Sequence, residues 1–372
     1  MGTLNFSIDM LEWAANNIGL HLEQVVPKIS ESARTQKKLL EGEFSVNQAE
    51  NFASITRVPF GTLFLENPPA QIYKPEIPDL RQKQNAEPLS DSFYEVLEDI
   101  KAKQDWYVEF LKDNGAEPLG FVGRYKDQTN VDADIIAEDI RSVLSFPNGV
   151  KTNKEQYLKT FITKCEDVGI LVFKNGIVKN ATKKSLDVSE FRGFVLVNEY
   201  APVIFLNGRD MPAAMIFTLA HELAHVWLGE SGVDDLDIYG NNPTEVLCNK
   251  VAASVLVSKN EFYEAWARYQ EDIAWIASAF NVSKLMVARL ALTYNKITRD
   301  EYKAIHDAEK EVFEKKSKGD GGPSFLKLVP GRNSPRLTQT VVNQAMSGKL
   351  LLRDAGKLLN ASPQNIMKMG GM

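Results

Sequence analysis

The stretch Thr218-Leu219-Ala220-His221-Glu222-Leu223-Ala224-His225 decides the fold. It places two of the chain's 4 histidines in an H-E-x-x-H pattern inside an apolar run. On a helix, residues four apart share a face. Both imidazoles can therefore reach one cation, with Glu222 one step round, where it can act as a base on water. This set of residues calls for zinc. Met215, Ile216, Leu219, Leu223 and Leu228 form an apolar stripe, Asp210 and Pro212 mark a helix start, and Gly229 marks a stop. The spacing predicts a buried helix beneath a cleft.

Two histidines leave a tetrahedral zinc one protein ligand short if its fourth position is kept for water. Glu245, 20 residues past His225, opens a second helical stretch that runs through Ala253, with Pro243 close to its first turn. Glu245 is the expected third ligand. Cys248, one turn further on, and Asp234, Asp235 and Asp237 in the intervening loop are its competitors. Asn249 is expected to orient Glu245 from behind. Arg192, Tyr200 and Tyr239 are candidate donors to an oxyanion. Zinc follows from ligand type, which also leaves Mn2+ or Fe2+ open.

The run Glu190-Phe191-Arg192-Gly193-Phe194, then Ala201 to Asn207, then His221 to His225, then Glu245 to Ala253, resembles the ImmA/IrrE family of metallopeptidases. The likeness extends over nearly the whole chain and is greatest to long members with an N-terminal helix-turn-helix-like module. It implies a zincin fold, zinc ligands at His221, His225 and Glu245, and a general base at Glu222. Family members cleave or antagonise repressor-like transcription factors, and others sit beside toxin genes. Ser254 stands where members often have Glu, and Ser258 where they often have Pro, a departure that bears on substrate fit.

With 372 residues, 44% of them hydrophobic, the chain can hold two or three cores. It has no stretch of 18 apolar residues, which argues against a membrane span. The first residues lack a basic start and an apolar core, so no secretory signal is expected. The 2 cysteines, Cys165 and Cys248, are too few for a disulfide framework. A cytoplasmic, reduced setting follows as the expectation. Net charge is −6, but residues 315–372 carry +8 and the remainder −14. That basic tail predicts either nucleic acid or an acidic partner.

The predicted architecture is α+β, mostly helical. It comprises a helix-turn-helix-like module over 1–66, a Pro-rich linker over 67–92, a zincin-like domain with a small β-sheet over 93–310, and a basic helical module over 311–372. In the first module Arg34, Lys37 and Lys38 lie on the helix that would enter a major groove. The module's net charge of −2 over residues 1–65 points instead to protein contacts. Strands are predicted at 170–173, 177–178, 194–198 and 203–206, with Asn-Gly turns at 175–176 and 207–208. The sheet edge could hold an extended substrate by backbone pairing. The predicted function is zinc-dependent endoproteolysis of a protein substrate such as a transcriptional regulator. The rival prediction is an antitoxin-like regulatory protein that binds DNA or a toxin, with a secondary metal domain. A third, an aminopeptidase, lacks a second metal cluster.

Overall fold

The computed structural model describes residues 3–16, 20–30, 32–56, 58, 60–65, 67–68, 77–78, 89–126, 128, 131–146, 152–234, 242–315 and 332–371. The chain divides into two compact units, Met1–Lys74 and Pro75–Met372.

The first unit holds helices α1 (Ile8–Asn16), α2 (Leu22–Ile29), α3 (Ala33–Leu40) and α4 (Val46–Thr56), followed by a 3-10 turn at Phe60–Phe64. Strands β1 (Thr3–Asn5) and β2 (Glu43–Ser45) pair antiparallel and were not predicted. At three residues each they are too short to show a period. Gly42 makes the pairing possible: its φ is +85°, and a Cβ there would lie 2.5 Å from the Phe6 carbonyl oxygen. Phe6, Phe44 and Phe52 meet edge to face at centroid distances of 5.4–5.6 Å and anchor the core.

In the second unit, α5 (Asp91–Asp113), α6 (Ala133–Val143) and α7 (Lys154–Asp167) precede strands β3 (Leu171–Asn175), β4 (Ile177–Val178), β5 (Ala181–Ser185), β6 (Gly193–Leu196) and β7 (Val203–Asn207). Then come α8 (Pro212–Leu228), β8 (Gly232–Asp234), α9 (Pro243–Leu256), α10 (Lys259–Arg268), α11 (Ile273–Ala279), α12 (Lys284–Thr293) and α13 (Arg299–Lys315). Three further helices follow, α14 (Pro335–Met346), α15 (Leu352–Leu358) and α16 (Pro363–Met369).

The main sheet has the order β3-β7-β6-β8, with β3 and β7 parallel and the other pairs antiparallel. Its residues alternate between two cores. Val172, Val195, Ile204 and Leu206 face the cluster that includes α8 and α9. Phe173, Phe194, Val203 and Phe205 face the cluster built with α5 and Leu337, Val341, Leu359 and Ile366. Helices thus cover both faces, which explains why β7 is apolar and buried throughout. The C-terminal stretch, expected as a module of its own, shares the cover of one face with α5.

The Asn-Gly turns do not make hairpins. Asn175-Gly176 lies between β3 and β4, but β4 pairs with β5 while β3 pairs with β7. Asn207-Gly208 leads into α8. The local turn signal was present; the long-range parallel pairing of buried strands overrode it.

Candidate metal centre

Helix α8 forms where the sequence places it. Pro212 occupies its first turn and Gly229, at φ 74°, closes it in the left-handed conformation. Asp210 does not cap it. The N-cap is Met211, and the Asp210 carboxylate takes the Met211 N–H at 2.8 Å and the Arg192 guanidinium at 3.1 Å. Burial pushes the Asp210 carboxyl up from its usual range, against the pull of Arg192. From Met215 onward almost every side chain of α8 is buried, so the two histidines sit in a dry helix packed between α9 and the sheet. Asn242 caps α9 through the Thr244 N–H, with Pro243 in the first turn, and this brings Glu245 in at the first turn.

The two helices bring three donors together. His221 Nε2 lies 3.1 Å from Glu245 Oε2, His225 Nε2 lies 3.3 Å from Glu245 Oε1, and the two Nε2 atoms are 3.1 Å apart. With zinc–ligand bonds of about 2.0–2.1 Å, the edges of a tetrahedral site are about 3.3–3.4 Å. The three separations fit a metal of that size with little movement. The Glu245 oxygens are fully buried and, among the described residues, receive no hydrogen bond of proper geometry. Burial alone would raise the Glu245 carboxyl, yet the two facing imidazoles outweigh it and hold it down to about 2. An anionic carboxylate and two imidazole nitrogens converging in a buried site form a cation's donor set.

Asn249 meets the His221 ring rather than Glu245, its Oδ1 lying 3.1 Å from His221 Nδ1. With Nδ1 protonated, His221 donates this bond and its Nε2 lone pair is turned to the centre. Cys248 is close enough to count as a rival ligand. One donor atom each from His221, His225 and Cys248 all lie within 4.8 Å of one another. Glu245 offers its two oxygens at 3.1 and 3.3 Å from the two imidazole nitrogens. Of the loop candidates, Asp235 and Asp237 lie outside the described residues, as does Tyr239, and nothing is described of the Asp234 side chain. Arg192 is tied to Asp210, and Tyr200 carries Lys112 over its ring at 4.9 Å.

Gly193 was quoted in the sequence for its motif alone, and the structure gives it a reason. A Cβ there would lie 2.6 Å from Thr218 Cγ2 and 2.9 Å from Glu222 Oε1, so only glycine lets β6 run this close to the carboxylate. The edges of the main sheet are β3 and β8. β8 pairs with β6 along Gly193–Val195, and the Val233 N–H in turn donates to the Pro78 carbonyl at 3.0 Å. His221, Glu222, His225 and Glu245 are each at most 1% exposed.

Residues 165–291 match the peptidase M78 family, described as the IrrE N-terminal-like domain. This segment is similar to the IrrE N-terminal-like domain. It contains β3, the sheet, α8, α9 and every candidate ligand, and it is metallopeptidase-like. Residues 333–371 match a domain of unknown function, DUF8813. The likeness expected over nearly the whole chain thus falls on the IrrE N-terminal-like domain, and the N-terminal helical unit lies outside both matches. Comparison with curated proteins gives no match. Among the described residues no single helix is long and apolar enough to cross a membrane.

Proposed function

We propose that the chain is a zinc-dependent endopeptidase. The observation that carries this reading is the convergence of His221 Nε2, His225 Nε2 and Glu245 at 3.1–3.3 Å, on the helix that also presents Glu222. His221, His225 and Glu245 would hold the metal, which when bound supplies Lewis-acid polarisation and a water of lowered pKa. Glu222 takes the proton from the attacking water and returns it to the leaving amine. Gly193 keeps that carboxylate against β6 without a side chain between them. Asn249 fixes the tautomer of His221. Because β8 fills the β6 edge, an extended substrate pairs with β6 only by displacing β8.

The substrate is a protein, and the family resemblance supports a repressor-like transcriptional regulator. The test is to incubate the metal-loaded protein, and its Glu222→Gln variant, with repressors encoded nearby and to identify fragments by mass. Cleavage by the wild type alone supports the reading, whereas equal cleavage by both removes Glu222 from it.

The charge of the C-terminal helices supports nucleic-acid binding as a second, compatible role. Within residues 332–371 there are six Lys and Arg and one Asp. Two of the cations face inward contacts, Arg336 to the Glu166 carbonyl and Arg332 to Asn180. Lys349, Arg353, Lys357 and Lys368 remain exposed. A salt-dependent slope in duplex binding, lost in a variant with these four neutralised, supports that role; no binding at low salt ends it.

A further inference from the structure

Helix α8 carries a further buried polar side chain on the face of its two histidines, Thr218. It stands three residues before His221, four before Glu222 and seven before His225, so the four side chains share one stripe of the helix. Thr218 is 1% exposed, and its hydroxyl turns back along the helix to donate to the Ala214 carbonyl at 3.1 Å. A β-branched side chain has little χ1 freedom in a helix, and this bond fixes what remains. With the hydroxyl directed at α8 itself, the methyl is the part of Thr218 that faces β6.

The point where a Gly193 Cβ would sit measures how tightly these groups meet. Thr218 Cγ2 lies 2.6 Å from it, Glu222 Oε1 2.9 Å and the Phe205 carbonyl oxygen 2.9 Å. The three differ in how far they can yield. The Phe205 oxygen belongs to β7, which is paired with β6 on one side and β3 on the other. The Thr218 methyl belongs to a stiff side chain in a buried helix. The Glu222 carboxylate ends a flexible chain, so it is the group that moves when a neighbour changes. A general base must stay within hydrogen-bond reach of the proton it takes, and the walls around Glu222 limit where it can stand.

We propose that Thr218 is a positioning residue for Glu222, and that its methyl, rather than its hydroxyl, closes the slot against β6 in which the carboxylate is held. Gly193 leaves room for the carboxylate on the strand side, and the methyl bounds that room on the helix side, one turn before Glu222. This role rests on Glu222 being the base of peptide hydrolysis, as proposed above. Thr218→Val keeps a methyl toward β6 and removes the hydroxyl, whereas Thr218→Ser does the reverse. The less polar replacement is therefore the harmless one.

Two readouts on the full-length protein at one fixed pH test this. The visible bands of the cobalt-loaded protein report the surroundings of the metal, and turnover of fluorescein-labelled casein by the zinc-loaded protein reports the base. Thr218→Val is expected to match the wild type in both. Thr218→Ser and Gly193→Ala, with folding checked by circular dichroism and loading by metal analysis, should shift the cobalt bands in the direction of Glu222→Gln. They should also lower kcat about tenfold or more with KM unchanged. A merely structural role would lower the unfolding temperature and leave the bands in place. Wild-type bands and turnover in Thr218→Ser, or a Thr218→Val as impaired as Thr218→Ser, would overturn the proposal. Absence of casein cleavage by every form counts against the endopeptidase reading alone, and the cobalt bands still decide for Thr218.

Discussion

Two polar clusters in the second unit are opposite in kind. At the crossing of α8 and α9, two imidazole nitrogens and a carboxylate point their lone pairs at a common centre 3.1–3.3 Å across. In the seam beneath the C-terminal helices, the Lys103 ammonium is paired with Asp99 and Asn333, and the Arg332 guanidinium donates to Asn180. The first gathers acceptors around one centre, whereas the second pairs donors with acceptors. Unmet hydrogen-bonding capacity, rather than polarity alone, shows what a buried cluster is for.

The largest effects should fall on the first cluster. His221→Ala or His225→Ala is expected to abolish stoichiometric zinc by metal analysis. Glu222→Gln should retain zinc while turnover drops about 10²–10⁴-fold; a variant that lost zinc instead would make Glu222 a ligand. Glu245→Gln and Cys248→Ser break the comparison from inside. The first should release metal and the second should not, and a sulfur-to-cobalt charge-transfer band in cobalt-loaded protein would reverse the assignment.

On the second cluster, Lys103→Met leaves Asp99 without its ammonium in a mostly buried position and should cost roughly 3–5 kcal/mol in denaturant unfolding. A neutral result would mean that the seam tolerates apolar packing. Asn249→Ala, next in size, is expected to weaken zinc about 10–100-fold while leaving the metal-free fold intact.

The smallest effect concerns how α9 is held. Arg141 donates to the Val255 carbonyl at 3.0 Å and to Glu261 at 2.6 and 2.9 Å. Burial would raise the Glu261 carboxyl, but Arg141 and the Ser258 N–H outweigh it and lower it from 4.5. A lowered acid stabilises the fold above its unfolded value and loses that contribution as pH falls through the folded one. Arg141→Met should therefore flatten the decline in stability below about pH 4.5; an unchanged acid limb would show the pair to be inert.

Most of the metal centre was legible because a helix writes its geometry into spacing. His221, Glu222 and His225 needed only the 3.6-residue period, and Glu245 needed a capped second helix. Cys248 could not be separated from Glu245 by sequence, since both lie on the inner side of α9 within one turn. Strands β1, β2, β5 and β8 went unseen, because three to five residues carry too little period to register. The seam was invisible: Lys103, Lys179 and Arg332 are scattered over 230 residues and meet only through the tertiary fold. Gly193 could have been found as a glycine inside a strand pattern, a mark of close approach.

The alternating strands also set a minimum size for a working molecule. Phe173, Phe194 and Phe205 rest on Leu337, Val341 and Ile366, so a chain ending before Ser334 would turn a sheet of aromatic rings toward water. The 127 residues that carry the metal-centre sequence would then hold their ligands on a scaffold missing one wall, and excising them alone should yield aggregate rather than a miniature enzyme.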